Sequence, residues 1–454
     1  MVFVVIVRAP ATPLCEKIRD CVLRYCTCTM DWFTDFGVHA IFGTTHRQRR
    51  VRKHRGLAFR RSAIHKSDPK MPFRTVNQSA TIAIGITSVV AAAAMSWEVY
   101  KRRLCHADSS SASSWGSFRH NRHATGSQVV ALYKSQINEK LEGQMGTHEN
   151  KSVYVVTGAS RGLGLQTARL LSTIPNVHIV LGCRDVEAGC IVANDINSGP
   201  DSISKAECCA LDLSSFSSVR SFANRTISVC DKLGANKTKI RGLINNAGTY
   251  ALPGTTMDGF QITFQTNTLS HALLTELLLP RMAADARIVN VSSEMMGMVW
   301  NRTRVPHRLF PPIDGGGTEW DYALSKACQG LHAHELNIRF GAGNSSNRRA
   351  FAIEPGIIET DISRNLRQWT RRLNYFIFAP LLSTVDEGTA TTMFCLLATK
   401  EELEMGWVDN GRDTKPFLYA HCAPKAPHRC CKRSEDAIFQ AEKFHEIFVD
   451  RKLL

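Results

Sequence analysis

The sequence has little that would build a metal centre or a secreted scaffold. Its fifteen cysteines include no Cys-x-x-Cys pair, so the spacing supports neither a zinc site nor a framework of disulfides. The cysteines are scattered and include the neighbours Cys208 and Cys209, which is typical of free thiols in a reducing compartment. We therefore expect no bound metal.

Acidic residues are scarce near the N-terminus. Residues 46–74 contain eleven lysines and arginines and one acid, Asp68, in a chain whose formal net charge is +16. Positive charge concentrated in one tail favours targeting or attraction to a membrane surface over a specific nucleic-acid interface. We interpret residues 1–78 as a basic extension and expect no specific nucleic acid as a partner, although nucleic-acid binding by residues 46–74 stays open.

Charge is absent from the eighteen residues 80–97, which basic residues 101–103 follow closely. This length is at the short end of what crosses a bilayer, and the many alanines make it only moderately apolar. We predict a single membrane anchor over residues 79–100, with a buried or surface helix as the alternative. This anchor predicts a single-pass, membrane-associated protein. The expected membrane is that of the endoplasmic reticulum, with mitochondrion and plastid as alternatives.

The chain changes character twice after the predicted anchor. Serines and scattered basic residues dominate 107–128, so we interpret residues 101–150 as a linker. From residue 151 onward, strand-like and helix-like segments alternate. This alternation predicts one α/β domain over residues 151–454.

A glycine-spaced turn opens that domain, in the stretch VYVVTGASRGLG over residues 153–164. Its β-prone residues lead into glycines and then into a segment with helical spacing of apolar residues. Without β-carbons at Gly158, Gly162 and Gly164, a pyrophosphate could approach the backbone and the N-terminus of the helix. The stretch predicts a dinucleotide-binding turn; the alternative is an ordinary turn between a strand and a helix.

The end of the second predicted strand, residues 177–182, indicates which dinucleotide. NAD enzymes place an acidic side chain there for the ribose diol, whereas a 2′-phosphate requires a cation. Here Cys183 and Arg184 follow the strand, and Arg161 lies inside the glycine turn. This pattern favours NADP(H), unless both arginines are only solvated surface charges. We expect the next residue, Asp185, to cap the following helix.

Three further predicted strands deliver polar residues to the same edge of the sheet. Asp212 follows the third strand and could accept a hydrogen bond from an adenine amino group. The fourth ends in residues 245–248, Asn-Asn-Ala-Gly, which would let a cofactor approach the backbone. The fifth ends in Ser292 and Ser293, at the edge where open parallel sheets bind ligands. Strand alternation indicates only that one of the two serines faces the ligand.

Tyr322 and Lys326 lie four residues apart on a predicted helix. This spacing places them on one face, where the ammonium would favour the phenolate and lower the pKa of Tyr322. A phenol with its ordinary pKa of about 10 is a poor acid or base at neutral pH. Taken alone, this spacing is weak evidence for a catalytic site. Asn267 is weak evidence as well, because an asparagine in an apolar helix predicts on its own only a buried hydrogen bond.

In combination and order, these motifs resemble the short-chain dehydrogenases/reductases. The motifs are Thr157-Gly-x-x-x-Gly-x-Gly164, Asn245-Asn-Ala-Gly248, Asn267, Ser293, Tyr322-x-x-x-Lys326 and Pro355-Gly356. Residues 181–185 and 211–215 further resemble the retinol dehydrogenase branch, which is similar to WW-domain oxidoreductases and protochlorophyllide reductases. The resemblance covers residues 151 to about 450. It implies a Rossmann-type, doubly wound parallel α/β sheet of about seven strands with helices on both faces.

The resemblance also implies roles for individual residues. Tyr322 would be the general acid/base, with Lys326 lowering its pKa. Ser293 would polarise the substrate carbonyl, and Asn267 would hold a proton-relay water. The cofactor-binding residues would be Gly158, Ser160, Arg161, Gly162, Leu163, Gly164, Arg184, Asp212, Asn246, Ala247, Gly248, Tyr322, Lys326, Pro355, Gly356 and Thr360.

We therefore expect an NADP(H)-dependent oxidoreductase that interconverts a lipophilic alcohol and its aldehyde or ketone, of the retinoid, steroid or fatty-aldehyde type. The alternatives are a plastid enzyme resembling protochlorophyllide reductase and a dinucleotide-binding scaffold without activity. Residues 295–300 and 367–382 are candidates for the substrate pocket. Glu354 stands where retinoid-type members usually have histidine, which leaves the identity of the substrate open. Whether the chain forms a homodimer also stays open.

Overall fold

The structure, a computed structural model, describes residues 114–121, 123–142, 151–200, 203–234, 238–300, 316–342, 347–358, 382–405 and 416–425. All of them lie in the unit that spans His106–Leu454. The basic extension and the predicted anchor, residues 79–100, lie outside the described residues and stay predictions. Within the described ranges, no helix is both long and apolar enough to cross a bilayer.

Eight strands form one sheet. In chain order they are β1 Ser152–Thr157, β2 Val177–Cys183, β3 Lys205–Ala210, β4 Lys239–Asn245, β5 Met282–Val291, β6 Arg349–Glu354, β7 Leu418–Ala420 and β8 Ala423–Pro424. Their spatial order is β3-β2-β1-β4-β5-β6-β7-β8. Strands β1 to β7 run parallel, and β8 pairs antiparallel with β7. The predicted parallel sheet of about seven strands is confirmed, with one short antiparallel strand added.

Helices cover both faces of the sheet. They are α1 Gly126–Glu142, α2 Gly162–Ser172, α3 Val186–Ser198, α4 Phe216–Gly234, α5 Ile262–Phe264, α6 Ser270–Leu278, α7 Gly297–Trp300, α8 Glu319–Ala342, α9 Val385–Leu397 and α10 Lys400–Glu404. A π-helical turn, Gln265–Leu269, joins α5 to α6. As predicted, Asp185 caps α3: its carboxylate accepts a hydrogen bond from the backbone N–H of Ala188 at 3.0 Å.

The strands are apolar throughout because both of their faces are buried. In β1, Val153 and Val155 join one core with residues of α4, α6 and α8. Tyr154 and Val156 point the other way and join a second core with residues of α1, α2, α3 and α9. Strand alternation thus builds two cores, one on each side of the sheet.

The range predicted as a linker, residues 101–150, is in part a packed element of the domain. Trp115 begins a 3-10 helix, Trp115–Phe118, and its ring meets that of Phe394 on α9 edge to face at 5.6 Å between centroids. Its indole N–H donates to Gln136 on α1 at 3.0 Å. Trp115, Phe118 and Val129 are all buried. The serine-rich composition did not indicate this packing, because these few apolar residues stand among many polar neighbours.

We expect Trp115→Ala to lower the free energy of unfolding by about 3–5 kcal/mol, the cost of emptying a buried tryptophan site. Urea unfolding of the full-length chain, followed by circular dichroism, measures the loss. Ser117→Ala, at an exposed position of the same short helix, is the control. Equal unfolding midpoints for the two variants would show that residues 114–121 do not stabilise the domain.

Candidate active site

The glycine turn between β1 and α2 has no room for side chains. Gly158 and Gly162 adopt φ angles of +68° and +56°, which favour glycine. A β-carbon on Gly158 would lie 2.9 Å from the Cα of Ala247, and one on Gly164 would lie 2.5 Å from the carbonyl oxygen of Gly158. The bare backbone therefore faces the gap between β1 and β4, where the strand order reverses and parallel sheets of this kind bind dinucleotides.

Thr157 and Asn246 fasten this turn to β4. The Thr157 hydroxyl oxygen accepts hydrogen bonds from the backbone N–H groups of Asn246 and Ala247 at 2.9 and 3.0 Å. The Asn246 amide donates to the carbonyl oxygen of Thr157 at 2.9 Å. The Asn246 side chain, which the sequence assigned to cofactor binding, therefore stabilises the turn. Gly248 is exposed beyond it.

The tip of β2 presents cations. Arg184 and Arg161 are both exposed, and neither pairs with a carboxylate among the described residues. Asp212 follows β3, and its Oδ1 already accepts hydrogen bonds from the backbone N–H and the hydroxyl of Ser214 at 2.9 and 2.7 Å. The bare turn, the reversed strand order and the free arginines together fit a nicotinamide dinucleotide with its adenosine end near β2.

A capping box starts helix α8 just before the tyrosine. The Asp321 carboxylate accepts a hydrogen bond from the backbone N–H of Thr318 at 2.7 Å, and the Thr318 hydroxyl accepts from the N–H of Asp321 at 3.3 Å. This reciprocal pair fixes where the helix begins. Tyr322 and Lys326 consequently occupy its first two turns, and both are buried.

The structure separates the roles of the two serines that follow β5. The Ser292 hydroxyl is buried and donates to the carbonyl oxygen of Lys326 at 2.8 Å, which ties β5 to α8. Ser293 is half-buried, lies close enough to Tyr322 to lower the pKa of that phenol and caps the short 3-10 helix Glu294–Met296. Ser293 is therefore the serine that shares the site with Tyr322.

Burial dominates the ionisation of the Tyr322–Lys326 pair. It raises the pKa of Tyr322 to about 12, against the opposing hydrogen bond from Ser293, and it lowers the pKa of Lys326 to about 7. The sequence predicted a phenol whose pKa the lysine would lower. The pKa of the phenol is raised instead, because burial also disfavours the charged form of Lys326, whose Nζ lies 5.6 Å from the ring centroid.

Asn267 lies in the π-helical turn and is fully buried. Its side-chain amide donates to the carbonyl oxygen of Thr249 at 3.0 Å and to the Ser325 hydroxyl at 2.9 Å. Its backbone carbonyl accepts from Gln329 Nε2 at 2.7 Å and contacts His271 Nδ1 at 2.9 Å. The sequence reasoning thus found a residue at the centre of a buried polar network but assigned no role to the four residues that contact it.

Sequence reasoning missed Tyr250, His271 and Gln329. The Tyr250 ring lies 4.8 Å from the Tyr322 ring, and burial and the negative charge of Glu319 raise the pKa of Tyr250. Burial lowers the pKa of His271 to about 4, so the ring is neutral at pH 7. No motif marks Tyr250 or Gln329, and the position of Tyr250 two residues after Gly248 is the one hint that the sequence offers for it.

Other predicted site residues are only partly described. Pro355 and Gly356 directly follow β6, and Gly356 adopts a φ of +85°. Thr360 and residues 367–381 lie outside the described residues. In the first pocket segment, residues 295–300, the side chains of Met296 and Val299 are core, whereas Met295 and Met298 are partly exposed.

Glu354, the departure from the retinoid pattern, ends β6 in a buried position. Its Oε2 pairs with Lys425 Nζ at 2.5 Å. Burial raises the pKa of this carboxyl group, and the ammonium of Lys425 opposes the shift. At the least, the pair fastens the segment after β8 to the end of β6.

Comparison with known proteins decides the family. Residues 152–305 match the family model of short chain dehydrogenases. The chain is 34% identical to retinol dehydrogenase 12 of Mus musculus over 261 residues, which cover 56% of this chain and 74% of that protein. The chain belongs to the short-chain dehydrogenase/reductase superfamily. It is therefore a dinucleotide-dependent oxidoreductase of alcohols and carbonyl compounds.

Two other relatives place the chain in the retinol dehydrogenase-like branch, as the motifs indicated. Retinol dehydrogenase 11 of Homo sapiens is 30% identical over 56% of this chain and 75% of its own length. The WW domain-containing oxidoreductase of Drosophila melanogaster is 33% identical over 55% of this chain. The chain spans 58% of the length of that oxidoreductase.

Solved structures of this superfamily are more distant. The NADPH-bound carbonyl reductase from chicken fatty liver is 21% identical with a TM-score of 0.43, over 61% of this chain and 99% of that one. A short chain dehydrogenase/reductase from Burkholderia phymatum in complex with NAD is 18% identical with a TM-score of 0.42, over 68% and 97% of the two chains.

We expect Gly158→Ala to weaken dinucleotide binding at least tenfold. The added methyl group would strain a backbone with positive φ, at a cost of about 1–3 kcal/mol, and would press on the backbone of Ala247. A fluorescence titration of the full-length chain with NADPH measures the change. Gly341→Ala, whose added methyl group meets no atom within 4 Å, is the control. Equal affinities for the two variants would contradict a cofactor on this turn.

Proposed function

We propose that this oxidoreductase uses NADP(H) to interconvert a lipophilic alcohol and its aldehyde or ketone. The observation that carries the proposal is the burial of Tyr322 and Lys326 on one face of α8, with Lys326 Nζ 5.6 Å from the centroid of the phenol ring. Ser293, which follows β5, lies close enough to the phenol to lower its pKa. An acid/base group and an orienting donor thus meet at one place, as carbonyl chemistry requires.

When bound, a nicotinamide dinucleotide supplies or accepts the hydride. The residues of the chain would transfer the proton and orient the substrate. Ser293 and Tyr322 would both donate hydrogen bonds to the substrate oxygen and hold the carbonyl carbon in place. Tyr322 would then give its proton to that oxygen during reduction, or take one from it during oxidation.

The protonation state of Tyr322 is compatible with reduction. Burial raises the pKa of this phenol, so it carries its proton at neutral pH and could donate it to the substrate oxygen. For alcohol oxidation, the phenolate needs a nearby positive charge. Lys326 would provide part of that charge when it is protonated.

A lipophilic substrate is supported by the surroundings of Tyr322 and by the relatives. The Tyr250 ring packs against it at a tilt of 55°, with 4.8 Å between the ring centroids, and the segment after Ser293 contains the partly exposed Met295 and Met298. Methionine and aromatic side chains make adaptable apolar walls. Two relatives are named retinol dehydrogenases, and retinol is a lipophilic alcohol.

The preference for NADP(H) rests on Arg184 and Arg161, exposed cations where an NAD enzyme would present a carboxylate. We expect Arg184→Asp to weaken NADPH binding at least tenfold and to leave NADH binding unchanged or stronger. Parallel fluorescence titrations of the full-length chain with both nucleotides measure the two affinities. Arg169→Asp, at an exposed position in the last turn of α2, is the control. An equal loss for NADPH and NADH would refute the 2′-phosphate contact.

We expect Tyr322→Phe to lower the rate of aldehyde reduction by about 10²–10⁴-fold, the usual contribution of a general acid, with NADPH still bound. Turnover of a panel of lipophilic aldehydes by the full-length chain measures the rate. Tyr419→Phe is the matched control, because the hydroxyl of this buried tyrosine of β7 donates to the carbonyl oxygen of Leu403 at 2.7 Å, away from the site. A variant Tyr322→Phe as active as Tyr419→Phe would exclude Tyr322 as the acid.

A further inference from the structure

The side chain of Gln329 lies between Lys326 and Asn267, inside the site. It is only 1% exposed. Its Oε1 accepts a hydrogen bond from Lys326 Nζ at 3.1 Å, and its Nε2 donates to the backbone carbonyl of Asn267 at 2.7 Å. One amide thus joins the catalytic helix to the π-helical turn.

The orientation of this amide follows from its partners. The carbonyl oxygen of Asn267 can only accept a hydrogen bond, so it must face the NH₂ group of Gln329. The amide oxygen is then directed at Lys326. Together with the carbonyl oxygen of Val291, 2.7 Å from Nζ, it gives the buried lysine two acceptors. Both favour the ammonium, which burial disfavours.

The same contact engages Asn267, the residue that the resemblance assigned to a proton-relay water. A carbonyl oxygen has two lone pairs. At Asn267 one receives the Gln329 amide, and the other faces His271 Nδ1 at 2.9 Å. The second nitrogen of that histidine contacts the Thr157 hydroxyl at 2.9 Å. A proton-relay water therefore finds no free acceptor on the Asn267 carbonyl.

We infer that Gln329 is a positioning residue, which keeps Lys326 protonated and directed toward the phenol in place of a solvent bridge. This inference rests on the proposed function, because it acts through the Tyr322–Lys326 pair. Without the amide oxygen, the ammonium loses one of two acceptors. The phenolate then loses part of its stabilising charge, and the apparent pKa of the pair rises.

The test compares Gln329→Met, which keeps the length of the side chain without its polar atoms, with Gln329→Glu, which keeps an acceptor for Lys326. The pH dependence of kcat for alcohol oxidation with NADP⁺ is measured on the full-length chain. For Gln329→Met we expect the apparent pKa to rise by about one unit, a roughly tenfold loss at pH 7 and recovery of the rate at high pH. For Gln329→Glu we expect less than half of that shift.

Two controls separate this effect from damage to the core. Cys328→Ala, a neighbouring buried position on α8, should leave the apparent pKa unchanged, and thermal unfolding reports the stability of every variant. An equal loss of activity at all pH values in Gln329→Met would show that Gln329 has only a structural role and would overturn the inference. A shift as large in Gln329→Glu as in Gln329→Met would also overturn the inference.

A readout without turnover distinguishes failure of the inference from failure of the proposed function. Tyrosine labelled with ¹³C at Cζ reports phenol ionisation by NMR, and the Tyr322 signal is the one missing from Tyr322→Phe. With NADP⁺ present, we expect this signal to titrate about one unit higher in Gln329→Met. If no alcohol or aldehyde is turned over but the signal shifts as expected, the proposed substrate class fails and the role of Gln329 stands. An unchanged titration overturns the role of Gln329.

Discussion

The structure depends on the burial of one amine. Only 3% of Lys326 is exposed, and an ammonium so far from water must be met by hydrogen-bond acceptors. The carbonyl oxygen of Val291 at the end of β5 and the amide oxygen of Gln329 meet it. The hydroxyl of Ser292 in turn binds the backbone carbonyl of Lys326. The end of the strand and the first turns of α8 are therefore fixed to each other, and Ser293 follows directly at the phenol.

A chain of buried polar contacts extends from this lysine to the cofactor turn. Gln329 binds the carbonyl of Asn267, His271 contacts the same carbonyl, and the other ring nitrogen of His271 contacts the hydroxyl of Thr157. Thr157 in turn accepts from the backbone that precedes Gly248. Buried networks of this kind are stable only when their members are paired. The candidate dinucleotide-binding turn and the residues proposed to transfer the proton are thus fixed relative to one another.

The sequence located the candidate site where polar residues coincide with strand ends, and the structure places those strand ends at one edge of the sheet. The glycine spacing, the serines after β5 and the Tyr-x-x-x-Lys spacing are visible as patterns, and the helix cap of Asp185 was recognisable as well. Patterns could not tell Ser292 from Ser293, because both end the same strand. They could not find Gln329 or Trp115, whose roles come from contacts across the fold. The raised pKa of Tyr322 also escaped prediction, because it depends on burial of the whole pair.

Transfer of the hydride itself tests the central claim most directly. NADPH deuterated at the transferable position of the nicotinamide is incubated with the full-length chain and a lipophilic aldehyde such as retinal, and the product alcohol is analysed by mass spectrometry. We expect one deuterium on the carbinol carbon with the wild-type chain. An alcohol without deuterium, or no alcohol from any aldehyde tried, would contradict an oxidoreductase that acts on lipophilic carbonyl compounds.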